Sequence, residues 1–324
     1  MKLSKSDQES GQIKNQHQSA PPSFLYKYRS FNRFLLQELC DSSTFFSSPV
    51  NFNDPLDSRP TIVDDLETPR AERLLEDLFK ERWPKRDPAQ ELHNCRYMAT
   101  EHALNPSEQE TAYRRELKQR IELLILDWTA SKGVLSLASN WSCPLMWSHY
   151  ADQHMGICLE YATADHVAHS IRQVSYDKPR SINMSEVAKW RLEADPIALE
   201  RVIETAFLSK APAWAYEKEW RVLAKASSPR GAPFDLSAIY FGARCPAAVQ
   251  TAIVKTMHDV SPKVDMFNVR FSTESFELKK QEVCIDEILQ VGIRPSAELV
   301  FGRHPIESRS LSDTSRNGFN DGFY

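Results

Sequence analysis

Glycine is scarce in this chain, nine in 324 residues, and that scarcity leaves no phosphate-cradling loop. Neither G-x-G-x-x-G nor G-x-x-x-x-G-K-[ST] occurs, which argues against a standard dinucleotide fold or P-loop. H-E-x-x-H and G-x-S-x-G are absent too, so two common hydrolase signatures are missing. No stretch stays apolar for the roughly 18 residues a membrane span needs. Residues 1–23 lack the apolar core of a signal peptide and read as a disordered lead. The six cysteines, Cys40, Cys95, Cys143, Cys158, Cys245 and Cys284, form no C-x-x-C pair. A zinc ribbon is therefore not expected, and reduced thiols in the cytoplasm are. With a net charge of -4 the chain carries no large basic excess. Wholesale nucleic-acid binding is not expected, though a local basic patch stays open.

What is present reads as one α+β domain over 24–302, with a mobile polar tail at 303–324. Phe24–Arg29 alternates, with Phe24, Tyr26 and Tyr28 on one face and Leu25, Lys27 and Arg29 on the other, as a strand requires. A short helix over 31–39 and a short strand over 44–47 follow. Residues 66–130 are helical by periodicity, with stripes at Leu74, Leu75, Leu78 and Phe79, then Leu92, Cys95, Ala99 and Ala103, then Tyr113, Leu117, Ile121, Leu124, Ile125 and Trp128. Ser107 and Glu110 suggest a capping box at the start of the last helix. We expect this block, about 60–132, to be a helical insertion. Strands are expected at 134–139, 157–161, 171–176, 236–241, 267–271 and 276–280, and beside 220. Helices are expected at 196–207, capped by Asp195, and at 246–260. The fold class is α+β, with a twisted, mainly antiparallel sheet and flanking helices.

Three stretches concentrate chemistry. The loop Asn53-Asp54-Pro55-Leu56-Asp57 is a cluster of acceptors, which turn chemistry explains as well as ligand contact does. The segment 144–160 crowds Trp147, His149, Tyr150 and His154 before a glycine turn and a buried strand. On one continuous helix His149 and His154 would stand about 140° apart, poorly placed to share a metal. No metal site is expected, and His149 is the better catalytic candidate of the two. The third stretch is Tyr216-Glu217-Lys218-Glu219-Trp220-Arg221. On a strand Glu217, Glu219 and Arg221 would share a face, leaving Trp220 and Val222 to the core. Two such carboxylates can divide labour, one raised in pKa for acid–base work and one held ionised by Arg221. The same residues could equally be a solvated face with an ion pair of little energetic weight.

The segments LYKYRS with FFSSPVNFNDPLD, PLMWSHYADQHMGICLEY, and WAYEKEWRV with AIYFG resemble, in that order, the bacterial domain of unknown function 2971. That resemblance implies no established activity. A second, fold-level resemblance is to ADP-ribosyltransferases, through Tyr28-Arg29, a serine (Ser47 or Ser136) and Glu217-Lys218-Glu219. It implies NAD as cofactor, Glu219 beside the developing oxocarbenium charge, Glu217 orienting the acceptor and Arg29 on a phosphate or ribose. Tyr150 or Trp147 would stack on a ring.

Together these readings place Arg29, Asn53, Asp54, Trp147, Tyr150, His149, His154, Glu217, Glu219 and Arg221 around one cleft, with Tyr28 and Ser47 as further ligand contacts. The cleft would serve an enzyme acting on a nucleotide-type small molecule. The alternative is a non-catalytic protein-recognition module, in a stress or phage-defence setting, whose polar cluster only holds the fold.

Overall fold

The computed structural model describes residues 20–101, 105–164 and 168–291. Most of the expected lead, and all of the expected tail, lie outside the described residues. The fold is α+β, built on an eight-stranded, mainly antiparallel sheet.

The centre of the sheet is β1 (Phe24–Arg29) beside β5 (Ile157–Ala162), antiparallel and in register along the whole of both strands, from Phe24 opposite Ala162 to Arg29 opposite Ile157. β10 (Asp235–Phe241) joins the other edge of β5, followed by β11 (Asp265–Phe271), which is parallel to β10, and β12 (Leu278–Glu282). On the far side of β1 come β4 (Gly133–Ala138), β8 (Glu219–Ala224) and β6 (Ile171–Gln173). Two small ribbons complete the strands. One pairs β2 (Ser43–Phe46) with β9 (Ser228–Gly231), the other β3 (Thr61–Val63) with β7 (Ser181–Asn183).

Strand alternation sorts the side chains. Leu25, Ile157, Leu159, Ile239 and Phe241 pack under α1 (Arg33–Cys40) and α8 (Ala247–Val260), against Leu35, Leu39, Ile253 and Val254. On the opposite face Tyr28, Cys158, Ala238 and Tyr240 meet Met146 and Trp147 of α5 (Pro144–Tyr150). The helix expected from Pro246 begins one residue later, with Pro246 at the N-cap of α8.

The helical block contains α2 (Thr68–Arg82), α3 (Pro88–Glu101) and α4 (Pro106–Ala130), and its three stripes are buried as their periodicity requires, except that Trp128 is only partly buried and Ala103 lies outside the described residues. Its core does not close on itself. Leu74, Ile121 and Ile125 share one cluster with Val187 and Ala188 of α6 (Met184–Glu193) and with Val202, Ala206 and Phe207 of α7 (Pro196–Leu208). α6 is absent from the sequence reading, although Met184, Val187 and Ala188 are buried at helical spacing. A last helix, α9 (Ile285–Val291), follows β12.

Local details differ from expectation at three points. The cap of α4 is Asn105, whose side chain accepts the Glu108 amide at 2.9 Å, so Ser107 is already inside the helix. The strand expected at 171–176 stops at Gln173, and Ser175 makes only an isolated bridge to Ser209. The strand expected from Phe276 begins at Leu278, and Phe276 is fully exposed.

One irregularity positions the site. β1 and β4 pair only at Tyr26 opposite Ala138, although β1 runs on to Arg29 and β4 starts back at Gly133. The outer end of β4 is taken instead by Ser47, which exchanges backbone hydrogen bonds with Val134 at 2.8 and 2.9 Å. The sheet is thus pried open between its two halves.

Candidate functional site

A cavity of about 290 Å³ lies at this opening. Consecutive residues of both strands line it, Tyr26, Lys27 and Tyr28 from β1 and Ser136, Leu137 and Ala138 from β4. An unbroken sheet would offer only alternate residues to a cavity on one face. The remaining wall comes from Ser47 and Asn51–Asn53, from Asp57, from Met146 and Tyr150 of α5, and from Lys210, Glu217 and Glu219.

At the end formed by β8 lies a buried charge cluster with Lys210 at its centre. Its ammonium donates to Glu219 Oε2 at 2.9 Å and to Glu217 Oε2, and stands 3.4 Å from Asp57 Oδ2. Arg221, wholly buried, grips both carboxylates behind it. It donates from Nε to Glu219 Oε1 at 2.7 Å, and from Nη1 and Nη2 to the two Asp57 oxygens at 2.9 and 2.6 Å. Its Nη1 also donates to the Phe207 carbonyl at 2.7 Å. Buried charges persist only when paired and hydrogen-bonded in this way.

The sequence locally explains why two carboxylates reach one lysine. Glu217 was expected on the strand but instead ends a 3-10 turn over Pro212–Glu217. Lys218 then takes a left-handed conformation, φ 45°. That reversal lets Glu217 and Glu219, on either side of it, face the same cavity rather than continuing one strand face. Of the three residues expected on a common face, only Glu219 and Arg221 share it, and that face is buried rather than solvated.

The two carboxylates differ in character. Burial works against the charge of Glu219, but the Arg221 guanidinium and Lys210 ammonium overcome it and hold the pKa at about 2. Burial raises Glu217 above the usual carboxylate range, and Glu219 adds to that against the pull of Lys210. Tyr150 donates its hydroxyl to Glu217 Oε1 at 2.6 Å. Burial first, then this carboxylate, push the Tyr150 phenol upward, so it stays a donor.

The Asn53–Asp57 loop shows the turn chemistry its sequence suggested, and its Asn53 and Asp57 line the cavity. Asp54 accepts the Leu56 amide at 2.9 Å, which is turn chemistry, and the Trp214 indole N–H at 2.8 Å, which ties the loop to the 3-10 turn. Asn53 donates to the Tyr150 hydroxyl at 3.1 Å.

Of the sequence candidates, Tyr28, Ser47, Asn53, Tyr150, Glu217 and Glu219 line the cavity together. Arg29 does not. It turns to the α1 face and is held there by both oxygens of Glu38, at 2.9 and 2.7 Å. Arg221 and Asp54 stand one layer back. Trp147 is wholly buried, its ring edge-on to Tyr28 at 5.3 Å, so it supports the wall and offers no stacking face to a ligand. His149 and His154 do not share a helix, because α5 ends at Tyr150 and the backbone is left-handed at Asp152, Gln153 and His154. His149 is exposed at the rim beside Trp214 and Tyr216. His154 stacks on Trp147 away from the cavity, and burial lowers its pKa. Among the described residues no group of three His, Cys, Asp or Glu side chains could hold a metal ion. Nor is any helix there long and apolar enough to cross a membrane.

Sequence reading missed Lys210, and Asp57 in its role as Arg221's partner. A lysine seven residues before Glu217 carries no local signal. Only the fold brings it to the carboxylates.

No curated protein and no solved structure matches this chain. Residues 146–222 match the model of a family described as Protein of unknown function (DUF2971). That span runs from α5 to β8 and carries Tyr150, Lys210, Glu217 and Glu219, whereas the walls supplied by β1, Ser47 and the Asn53–Asp57 loop lie outside it. From Met146 to Val222, then, the chain is similar to a family whose function is not known.

Proposed function

We propose that the opening between β1 and β4 is the active site of an enzyme acting on a small nucleotide-type ligand, with NAD as the first candidate. One observation carries this: two carboxylates line one cavity, the pKa of one pushed up and that of the other pushed down. Such a division assigns acid–base work to Glu217 and a fixed negative charge to Glu219. Glu217 would exchange a proton with the ligand, relayed or balanced by Tyr150 and Lys210. Glu219 would oppose positive charge developing nearby, as the transferase resemblance implies. Ser47 and Ser136 both line the cavity and both remain candidates for the serine of that resemblance. Arg29, committed to Glu38, has no part in it.

A specific observation favours the non-catalytic alternative. Both oxygens of Glu219 are already taken by Arg221 and Lys210, which is what a structural cluster holding a protein-recognition module together would show.

The two readings separate in one experiment. NAD, ADP-ribose and ADP are screened for thermal stabilisation of the wild type and of Glu217→Gln, and NAD consumption is followed in parallel. A ligand at a hundred times its dissociation constant adds about 2.7 kcal/mol, a rise of a few degrees. The enzyme reading expects stabilisation of both proteins, and turnover lost about 10²- to 10⁴-fold in Glu217→Gln. Absence of both stabilisation and turnover in the wild type would leave the recognition module.

A further inference from the structure

The opening between β1 and β4 is a missing rung of the sheet. Val134 exchanges both of its backbone bonds with Ser47, on the β1 side of β4. In an antiparallel strand residues two apart present their N–H and C=O to the same edge. Ser136 and Ala138 therefore face the β1 side as well, and Ser139, on the other alternation, donates to Lys218 on the β8 side. Ala138 is satisfied by Tyr26. The next rung would join Ser136 to Tyr28, and it is not formed, because the β1–β4 ladder stops at one pair. Ser136 is left between two occupied positions, and Tyr28 is left opposite it, both lining the cavity. The far edge of β1 cannot take the Tyr28 groups, since there Lys27 and Arg29 turn to Leu159 and Ile157 of β5. Backbone groups in a strand interior are almost always paired, so this rung has room for a partner. A whole strand cannot enter, because both ends of the gap are closed.

We infer that the open rung at Ser136 and Tyr28 seats a planar group of the ligand whose edge carries a donor beside an acceptor, as a nucleobase or a carboxamide does. Each of the two residues offers an N–H and a C=O in the plane of the sheet. Such an edge makes with either of them the pair of bonds that Tyr26 makes with Ala138. A carboxylate brings two acceptors and a ketone one, so each leaves a strand carbonyl without a donor. Tyr150, Glu217 and Glu219 border the same cavity, so a group fixed on the rung is held in front of the carboxylates. This deepens the proposal of a nucleotide-type ligand and rests on it for the kind of molecule that carries the edge. The missing rung itself stands on strand register alone.

The test is amide hydrogen exchange of the full wild-type chain, read residue by residue by NMR. In the free protein the Tyr28 and Ser136 amides should exchange at least about tenfold faster than those of Tyr26 and Ala138, which close the neighbouring rung. Equal protection of all four would show the rung closed and overturn the inference. Adenosine and nicotinamide then supply the two kinds of edge. The one that enters the seat, at ten times its dissociation constant, should slow Tyr28 or Ser136 about tenfold, since about a tenth of the sites stay free. Protection by adenosine alone assigns the seat to a nucleobase, and protection by nicotinamide alone assigns it to a carboxamide. Nicotinate and 3-acetylpyridine lack the amide donor and should leave both rates unchanged at the same concentration. Equal protection by all three pyridines, or no slowing by any probe, would overturn the inference. The same protection is expected in Glu217→Gln, because the seat is backbone, and its loss there would move the binding group to the carboxylate and overturn the inference. NAD turnover with neither amide slowed by NAD would remove the seat and leave the enzyme reading. Protection in a chain that consumes no NAD would keep the seat and remove that reading.

Discussion

Glu219 is the residue on which the charge cluster turns. Its pKa in the folded chain, about 2, lies below the usual carboxylate value of 4.5. The stabilisation it confers is therefore complete above about pH 5 and is lost as pH falls towards 2, on the order of 3 kcal/mol in all. Glu217 has the opposite sign: its raised pKa makes the folded state bind a proton more readily, so acidification favours the fold at that position. Urea midpoints measured from pH 7 to pH 3 should fall for the wild type. They should fall less for Glu219→Gln, though from a lower starting point, because that variant leaves Arg221 short of a partner. They should fall more steeply for Glu217→Gln. That Glu219 would lie beside Arg221 on one strand face was readable from residue type and spacing; the strand face expected for Glu217 was not borne out, because Glu217 ends the 3-10 turn. That Lys210 would be the common partner of the two carboxylates was not readable, since nothing local marks it.

At the scale of elements, two junctions shape the site. Lys218 sits in left-handed backbone between the 3-10 turn and β8, a conformation that glycine adopts freely and β-branched residues resist. Lys218→Gly should be neutral or slightly stabilising, whereas Lys218→Val should cost about 1–3 kcal/mol in urea unfolding and draw Glu217 from the cavity. A Val variant as stable as the wild type would show that the turn has another way to close. The second junction is Gly156, between the α5 turn and β5. A side chain there would place its first carbon 2.2 Å from the Arg29 carbonyl, so the backbones of β1 and the turn can meet only over glycine. The strand and helix periods made β1, β4, β5, β8, β10, α2, α4 and α7 legible. The end of α5 was not, because three successive left-handed residues without a glycine leave no compositional signature.

For the whole molecule, the shared core matters more than the order of segments. The helical block looked like an insertion in the sequence, yet Leu74 and Ile121 pack into the same cluster as Val202 and Phe207, which lead into the site lysine. Helical block and sheet should therefore unfold together. Tryptophan fluorescence and far-ultraviolet circular dichroism should give coincident urea midpoints. Leu74→Ala, at a fully buried position, should lower stability by about 2–5 kcal/mol and move both midpoints equally. Two separate transitions would mean that the helices form an independent unit.

By itself the sequence determined the α+β class, most of the strands and helices, the absence of the common phosphate loops, and six of the residues that line the cavity. Those properties follow from local pattern: periodicity tells which face is buried, and residue chemistry tells what a face can do. The tertiary structure alone decided that β1 and β4 part after one pair, that Arg29 turns to Glu38, and that Lys210 and Arg221 divide Asp57, Glu217 and Glu219 between them. Each of these is a competition among charges or strand edges far apart in the chain. Its outcome depends on distances and burial that exist only once the chain has folded.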